Sequence, residues 1–206
     1  PYEASVYLGG RNGRTLHIQG TQEDDLIKVQ GVGVPGLPFT VSITDRNTGV
    51  DRLGNVGGFY YGDFDLVVIH GLAGNDRIEN RYTWRPDMIY GGLGNDEILA
   101  GPLESYLSGQ EGDDTIHGGQ GNDIIFGGIN EDVLVGEGGC DIIDGGPGDD
   151  RIGGGYRPEN SSISSILGSD DETTDFVTGG SGTDRFYPAA SDWVDFDPQA
   201  DVDVLE

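Results

Sequence analysis

Aspartate returns every nine residues through the middle of this chain, each time followed two places later by an aliphatic residue. From Gly91 to Gly153 the register is unbroken over seven blocks, "GGLGNDEIL", "AGPLESYLS", "GQEGDDTIH", "GGQGNDIIF", "GGINEDVLV", "GEGGCDIID" and "GGPGDDRIG". Asp96, Asp114, Asp123, Asp132, Asp141 and Asp150 stand at position six, and Ser105 replaces the acid in the second block. Carboxylates at that spacing among glycines suit the capture of a hard cation. Glycine at positions one, two and four permits the positive φ of a tight turn and lets backbone carbonyls face inward without side-chain obstruction. Calcium accepts about six to eight oxygen ligands in a forgiving geometry, so carbonyls of one turn and carboxylates of the next suit it, whereas magnesium demands a stricter octahedron and keeps its waters.

The repeat extends beyond the unbroken run. "GLAGNDRIE" (71–79) is one more copy with Asp76, and after two extra residues, Asn80 and Arg81, "YTWRPDMIY" (82–90) keeps only Asp87 and Ile89. Downstream, a Ser-rich interruption at about 154–169 precedes "DDETTDFVT" and "GGSGTDRFY" (170–187), which carry Asp175 and Asp184. The repeat region therefore spans 71–187. The candidate carbonyl donors are the glycines at position one, Gly91, Gly109, Gly118, Gly127, Gly145 and Gly179, and those at position four, Gly94, Gly112, Gly121, Gly148 and Gly182.

The pattern resembles the RTX (hemolysin-type) family, whose calcium-binding nonapeptide reads GGxGxDxUx with U a large aliphatic residue. Blocks at 91, 118, 145 and 179 match every fixed position, except that the last has Phe186 at U. The resemblance implies an all-β fold, a right-handed parallel β-roll in which six residues turn, three form a short strand and two blocks complete one coil. Consecutive blocks then alternate edges. One edge should carry Asp76, Asp96, Asp114, Asp132 and Asp150, and the other Asp87, Asp123 and Asp141 with Ser105 among them, so that a defective or absent calcium site is expected around Ser105. Asn130 takes position four of its block, which Asn tolerates through its access to the left-handed region. About five to seven ions would add roughly +10 to +14 charges and make calcium a folding partner.

Those charges matter because the 206-residue chain holds 37 acidic against 11 basic residues, a formal net charge of −26, with only 34% hydrophobic residues. Such a chain either stays disordered or binds cations, and a merely solvated acidic surface would not keep a nine-residue beat. The acidity also argues against nucleic acid, whose phosphates need a basic footprint. No run of 18 apolar residues is present, so no membrane span is expected. The start at Pro1 rather than Met suggests processing or a fragment. Cys140, the single cysteine, rules out an internal disulfide and a Cys-based zinc site and reads as a small residue in a loop.

The elements that must position the acids follow from position eight, where Ile78, Ile89, Ile98, Leu107, Ile116, Ile125, Leu134, Ile143 and Ile152 should point inward as one aliphatic ladder, with positions seven and nine outward. One outer face would show Glu97, Leu99, Thr115, His117, Val133, Val135 and Arg151, and the other Met88, Tyr90, Tyr106, Ile124, Phe126 and Ile142. Contiguous apolar residues on an outer face should not sit in water. Tyr90, Tyr106, Ile124, Phe126 and Ile142 are therefore a candidate partner surface, covered either by another segment of this chain, such as 154–169 or the N-terminal part, or by another subunit. Residues 1–70 alternate apolar and polar in "TLHIQG", "DLIKV", "FTVSITD" and "DLVVIH" and read as short strands of an N-terminal cap, in which "GTQEDDLIK" (20–28) is a worn repeat with Asp25 and Ile27 in place. The end of the chain, 188–206, is similar to the β segments that close many RTX rolls. In that family such acidic ends accompany type I export, which implies a secreted, extracellular or bacterial cell-surface location.

No catalytic site is expected. There is no His-Glu-x-x-His, no Gly-x-Ser-x-Gly elbow and no Walker loop, and His17, His70 and His117 lack metal-ligand spacing. "GVGVPG" (31–36) has dinucleotide-loop glycines, but Leu37-Pro38 follows where a helix should open, so it reads as a hairpin loop. The favoured function is a non-catalytic extracellular calcium-binding β-roll with a structural, adhesive or self-assembling role, its partners being calcium and copies of itself or another surface protein. The alternative is the calcium-dependent accessory or secretion module of a larger exported protease, lipase or polysaccharide-modifying enzyme.

Overall fold

Three-residue strands separated by glycine turns are too short to pair with themselves, so they stack on the equivalent strands of the next coil. The computed structural model describes residues 3–10, 14–31, 38–53, 56–60, 62–81, 83–153 and the strands at 176–181, 185–186, 193–195 and 204–205. Among these there is no helix; the strands lie in two sheets of nine and ten. The nine-stranded sheet runs β1 (Ser5–Gly9), β2 (Thr15–Gln19), β6 (Leu66–Ala73), β8 (Asp87–Leu93), β10 (Ser105–Glu111), β12 (Ile124–Ile129), β14 (Ile142–Pro147), β16 (Phe176–Ser181) and β18 (Trp193–Asp195). The ten-stranded sheet runs β5 (Val56–Tyr60), β4 (Pro38–Asp45), β3 (Asp25–Gln30), β7 (Arg77–Glu79), β9 (Glu97–Leu99), β11 (Thr115–Gly119), β13 (Val133–Glu137), β15 (Arg151–Gly153), β17 (Arg185–Phe186) and β19 (Val204–Leu205).

Successive strands of the chain alternate between the sheets from β6 onward, and neighbours within each sheet are parallel. This is the β-roll expected from the nonapeptide pattern. Register repeats every eighteen residues: Leu107 faces Ile125 and Ile116 faces Leu134. The parallel pairing also reaches upstream of residue 71, since β2 pairs with β6 and β3 with β7. Antiparallel strands β1, β4 and β5 flank that first coil. The strands resume after 153 in the same register, Ile143 facing Val177 and Ile152 facing Phe186.

All nine position-eight residues from Ile78 to Ile152 are buried, as the alternation requires. The first coil adds Leu16, Ile18, Ile27, Val29 and Ile69, with Phe39 and Phe64 meeting edge to face at 5.4 Å. Close stacking of the turns explains the remaining glycines. A Cβ on Gly94 or Gly112, both at positive φ, would fall on the carbonyl of the coil before, that of Gly74 or Gly94 respectively. Asn130 does hold the left-handed conformation, with φ 94°, and Leu72, Gln110 and Glu137 hold it at position two.

The two outer faces differ. On the nine-stranded sheet Ile124 and Ile142 are 37% and 51% exposed, and the rings of His70, Tyr90, Tyr106 and Phe126 follow one another at centroid distances of 4.9, 5.9 and 5.6 Å. On the ten-stranded sheet Leu99, His117 and Val135 are buried at positions where the alternation points outward, and His117 Nδ1 lies 3.2 Å from Glu137. The apolar strip that meets water is thus the tyrosine and isoleucine one.

Because the interior is one aliphatic layer thick, truncating it leaves a void that neighbours on the same ladder cannot fill. Ile116→Ala should lower unfolding stability in saturating calcium by about 2–5 kcal/mol, measured by urea denaturation; a loss below about 1 kcal/mol would contradict the inward ladder.

Candidate metal centre

The position-six aspartates stack along both edges of the roll. On one edge the Asp25 N–H donates to Asp76 Oδ1 (2.7 Å), Asp76 to Asp96 (2.7 Å), Asp96 to Asp114 (2.7 Å), Asp114 to Asp132 (2.8 Å) and Asp132 to Asp150 (2.8 Å). On the other, the Ser105 N–H donates to Asp123 Oδ1 and Asp123 to Asp141 Oδ1, both at 2.8 Å. The edge assignment made from the nine-residue beat is thereby realised residue by residue. Each carboxylate is buried and anchored through one oxygen.

The second oxygen is different. Oδ2 of Asp76, Asp96, Asp114, Asp123 and Asp132 is buried with no hydrogen-bond partner. A buried polar atom left so is costly and calls for an explanation. Each points at the position-one glycine of its own block: a Cβ on Gly71, Gly91, Gly109, Gly118 or Gly127 would lie within 3.0 Å both of that Oδ2 and of the carbonyl oxygen of the position-one glycine one coil further on. Carboxylate and carbonyl oxygens thus converge on a space that only glycine leaves open. The donor set is entirely hard oxygen, which fits calcium rather than zinc or copper. Among the described residues no three His, Cys, Asp or Glu side chains converge on one point; backbone carbonyls supply the rest of the convergence.

The protonation equilibria report the same frustration. Burial, helped by nearby acids, pushes Asp76 and Asp132 up to about 8 and Asp96, Asp114 and Asp123 up to about 7, against the pull of the N–H each accepts. Asp87 departs from the pattern. Its Oδ2 accepts from Asn80 Nδ2 at 2.7 Å and the Gly101 N–H at 3.3 Å, and Thr83 Oγ1 in turn donates to Asn80 Oδ1 at 2.8 Å. Burial raises Asp87 only to about 6, with Ser105, Asn80 and Gly101 holding it down. Next to Ser105 the protein's own polar groups thus take up Oδ2, the oxygen left partnerless in the other acids, while Asp87 Oδ1 stays buried without a hydrogen bond.

The position-four glycines Gly94, Gly112, Gly121 and Gly148 sit against backbone of the coil before rather than beside a carboxylate. Gly145 contributes its carbonyl next to Gly127, and Gly179 lies in β16. Asp175, Asp184 and Gly182 lie outside the described residues. A second ladder, absent from the sequence reading, runs through position five: Asn75 N–H donates to Asp24 Oδ1, Asn95 N–H to Asn75 Oδ1, and Asp113 N–H to Asn95 Oδ1 at 2.8, 2.8 and 3.1 Å. Its signal was the Asn or Asp that precedes most ladder aspartates, as at Asn75, Asn95, Asp113, Asn122 and Asp149. Cys140 occupies that position in its block, where its N–H meets Asn122 Oδ1 at 2.9 Å, and its thiol is free and exposed.

Family comparison agrees with this geometry. The family model for the RTX calcium-binding nonapeptide repeat matches residues 61–79, 85–102, 106–134, 126–155 and 171–192, more than half of the chain. The chain belongs to the RTX calcium-binding nonapeptide repeat family. Its roll is accordingly a calcium-binding one. No curated protein and no solved structure matched the chain. No helix among the described residues of this RTX chain is long and apolar enough to cross a membrane.

The raised carboxyls set a pH dependence for the metal-free RTX roll. An acid whose folded pKa lies above its unfolded value near 4 favours the fold at low pH and loses that contribution as pH rises through the folded value. In chelator the β signal in circular dichroism should therefore weaken between pH 5 and pH 8; a signal constant or growing over that interval would contradict the burial of ionisable oxygens.

Proposed function

We propose that this chain is a non-catalytic, extracellular β-roll whose repeat coils order on meeting calcium, with ions seated along both edges, and that it serves a structural or self-assembling role. The observation that carries the reading is the column of buried, partnerless Oδ2 atoms, each facing a glycine carbonyl across a space that a Cβ would fill. A divalent cation satisfies both oxygens at once, which no side chain of the described repeat coils is placed to do. The ligands would be Asp76, Asp96, Asp114, Asp123, Asp132, Asp141 and Asp150 with carbonyls of the position-one glycines. Asp87, held by Asn80 and Gly101, would flank the gap at Ser105.

A self-assembling role rests on the exposed Ile124 and Ile142 beside the aromatic row. In a chain of net charge −26, a strip without charged side chains between Met88 and Ile142 is where a like-charged copy meets least repulsion. If the chain is instead an accessory module of a larger exported enzyme, its reading frame continues into a catalytic domain, which sequencing the parent gene decides.

Two outcomes are expected. Chelator at pH 8 should abolish most of the β signal and calcium should restore it; a spectrum indifferent to chelator would remove the calcium dependence. Sizing should show calcium-dependent association that the pair Ile124→Glu and Ile142→Glu abolishes while keeping the calcium-induced β signal, and a wild-type chain that stays monomeric in calcium would exclude assembly.

A further inference from the structure

The first coil has the same cradle as the others, yet a cation of the chain already sits beside it. Gly20 holds position one of the worn repeat 20–28, and a Cβ there would lie 2.9 Å from Asp25 Oδ2 and 2.6 Å from the Gly71 carbonyl. Oδ2 of this carboxylate is hydrogen-bonded within the protein, whereas Oδ1 makes no hydrogen bond and is met by an ion pair. Oδ2 accepts from the Thr21 N–H at 2.6 Å and from Thr21 Oγ1 at 2.9 Å, Thr21 standing where the consensus block has glycine. Oδ1 pairs with Arg52 Nε at 2.8 Å. The same guanidinium reaches Asp45 Oδ2 at 2.7 Å and Glu23 Oε2 at 2.8 Å, gathering three carboxylates at the end of the ladder.

Arg46, at the other end of the same β4–β5 connection, caps the following coil. Its Nη1 donates to the carbonyls of Asn75 (2.8 Å) and Asp76 (3.3 Å). On the opposite edge, Asn80, itself held by Thr83, satisfies Oδ2 of Asp87 without any ion. The charge distribution along the chain matches: eight of the 11 Lys and Arg residues precede residue 86, whereas Arg151 is the single one between Asp87 and Gly153. The first coil also owns the Phe39 and Phe64 pair, apolar volume that the described core from Ile78 to Ile152 lacks.

We infer that Arg52 occupies the role of the ion at the N-terminal end of the aspartate ladder, so that the coil of β2 and β3 with its β4 cover folds without calcium and templates the calcium-dependent coils stacked on it. The inference rests on the calcium reading of the repeat coils and adds a direction to it. In a repeat array each coil contacts only its neighbours, so a preformed end supplies the nucleus that the first ion-bound coil otherwise has to make. Guanidinium suits the place: it stays charged at all working pH values and forks between carboxylates.

Hydrogen exchange read by mass spectrometry, on the full chain at pH 7.5, tests this. In chelator, peptides of β2, β3 and β4 should exchange more than about ten-fold slower than those of β10, β12 and β14, and calcium should slow the second group. Arg52→Gln should remove the chelator-resistant protection of β3 and β4, calcium should restore it, and Arg151→Gln should leave it unchanged. The idea is overturned if the first coil exchanges as fast as β10 to β14 in chelator, or if Arg52→Gln keeps its protection. Protection that calcium changes nowhere overturns the calcium reading itself, and this inference with it, a result distinct from a first coil that simply needs calcium like the rest.

Discussion

Parallel register in a coil of eighteen residues sets carboxylate over carboxylate, and the rest of this structure answers that constraint. Neighbouring strands lie about 4.8 Å apart, a distance at which two ionised carboxylates repel by roughly 3 kcal/mol even at an effective dielectric near 20. Burial adds a larger penalty, since each acid is removed from water. The backbone N–H of the preceding aspartate answers one oxygen of each acid. The other faces a glycine carbonyl, one negative pole against another. Protonation or a divalent cation relieves that opposition, which is why the same acids have raised pKa values and are suited to calcium.

The glycines divide by the constraint they meet. At position one, glycine keeps open the space in which carboxylate and carbonyl converge. At positions two and four it lets the turn pass close above the previous coil at positive φ. Leu72, Gln110 and Glu137 show that position two accepts a side chain when the backbone tolerates some strain. Every described position-one residue from Gly109 to Gly145 is glycine. Ala100, the exception in the preceding block, belongs to the block whose acid became Ser105, so the cradle and its carboxylate were lost together.

At the N-terminal coil the same ladder meets covalently attached cations. Arg52 and Arg46 reach the edge because the antiparallel β4 and the connection after it fold back over β3. A fixed guanidinium neutralises only the place it reaches, so it suits the end of a ladder, whereas a diffusible ion suits an array that repeats. The hydrophobic layer shows a parallel division: two aromatic rings in the first coil, and an aliphatic file from Ile78 to Ile152.

Much of this was legible in the order of residues. A strict period of nine in Gly, Asp and aliphatic residues specified the β-roll, the inward ladder from Ile78 to Ile152 and the edge on which each aspartate lies, since each depends only on local turn chemistry repeated in register. Asp25 and Ile27 were recognisable for the same reason. The partners of Asp25 and Asp87 were not, because Arg52 and Asn80 belong to irregular segments whose path no period describes. Nor did alternation reveal that Leu99, His117 and Val135 are buried while Ile124 and Ile142 are exposed, because it separates inside from outside but not a covered outer face from a bare one. The sequence by itself determined the repeating coil and its oxygen ladders. Only the tertiary structure decided where the ladder ends and what neutralises its end, because a salt bridge across 27 residues, Asp25 to Arg52, depends on how the non-repeating hairpin folds back.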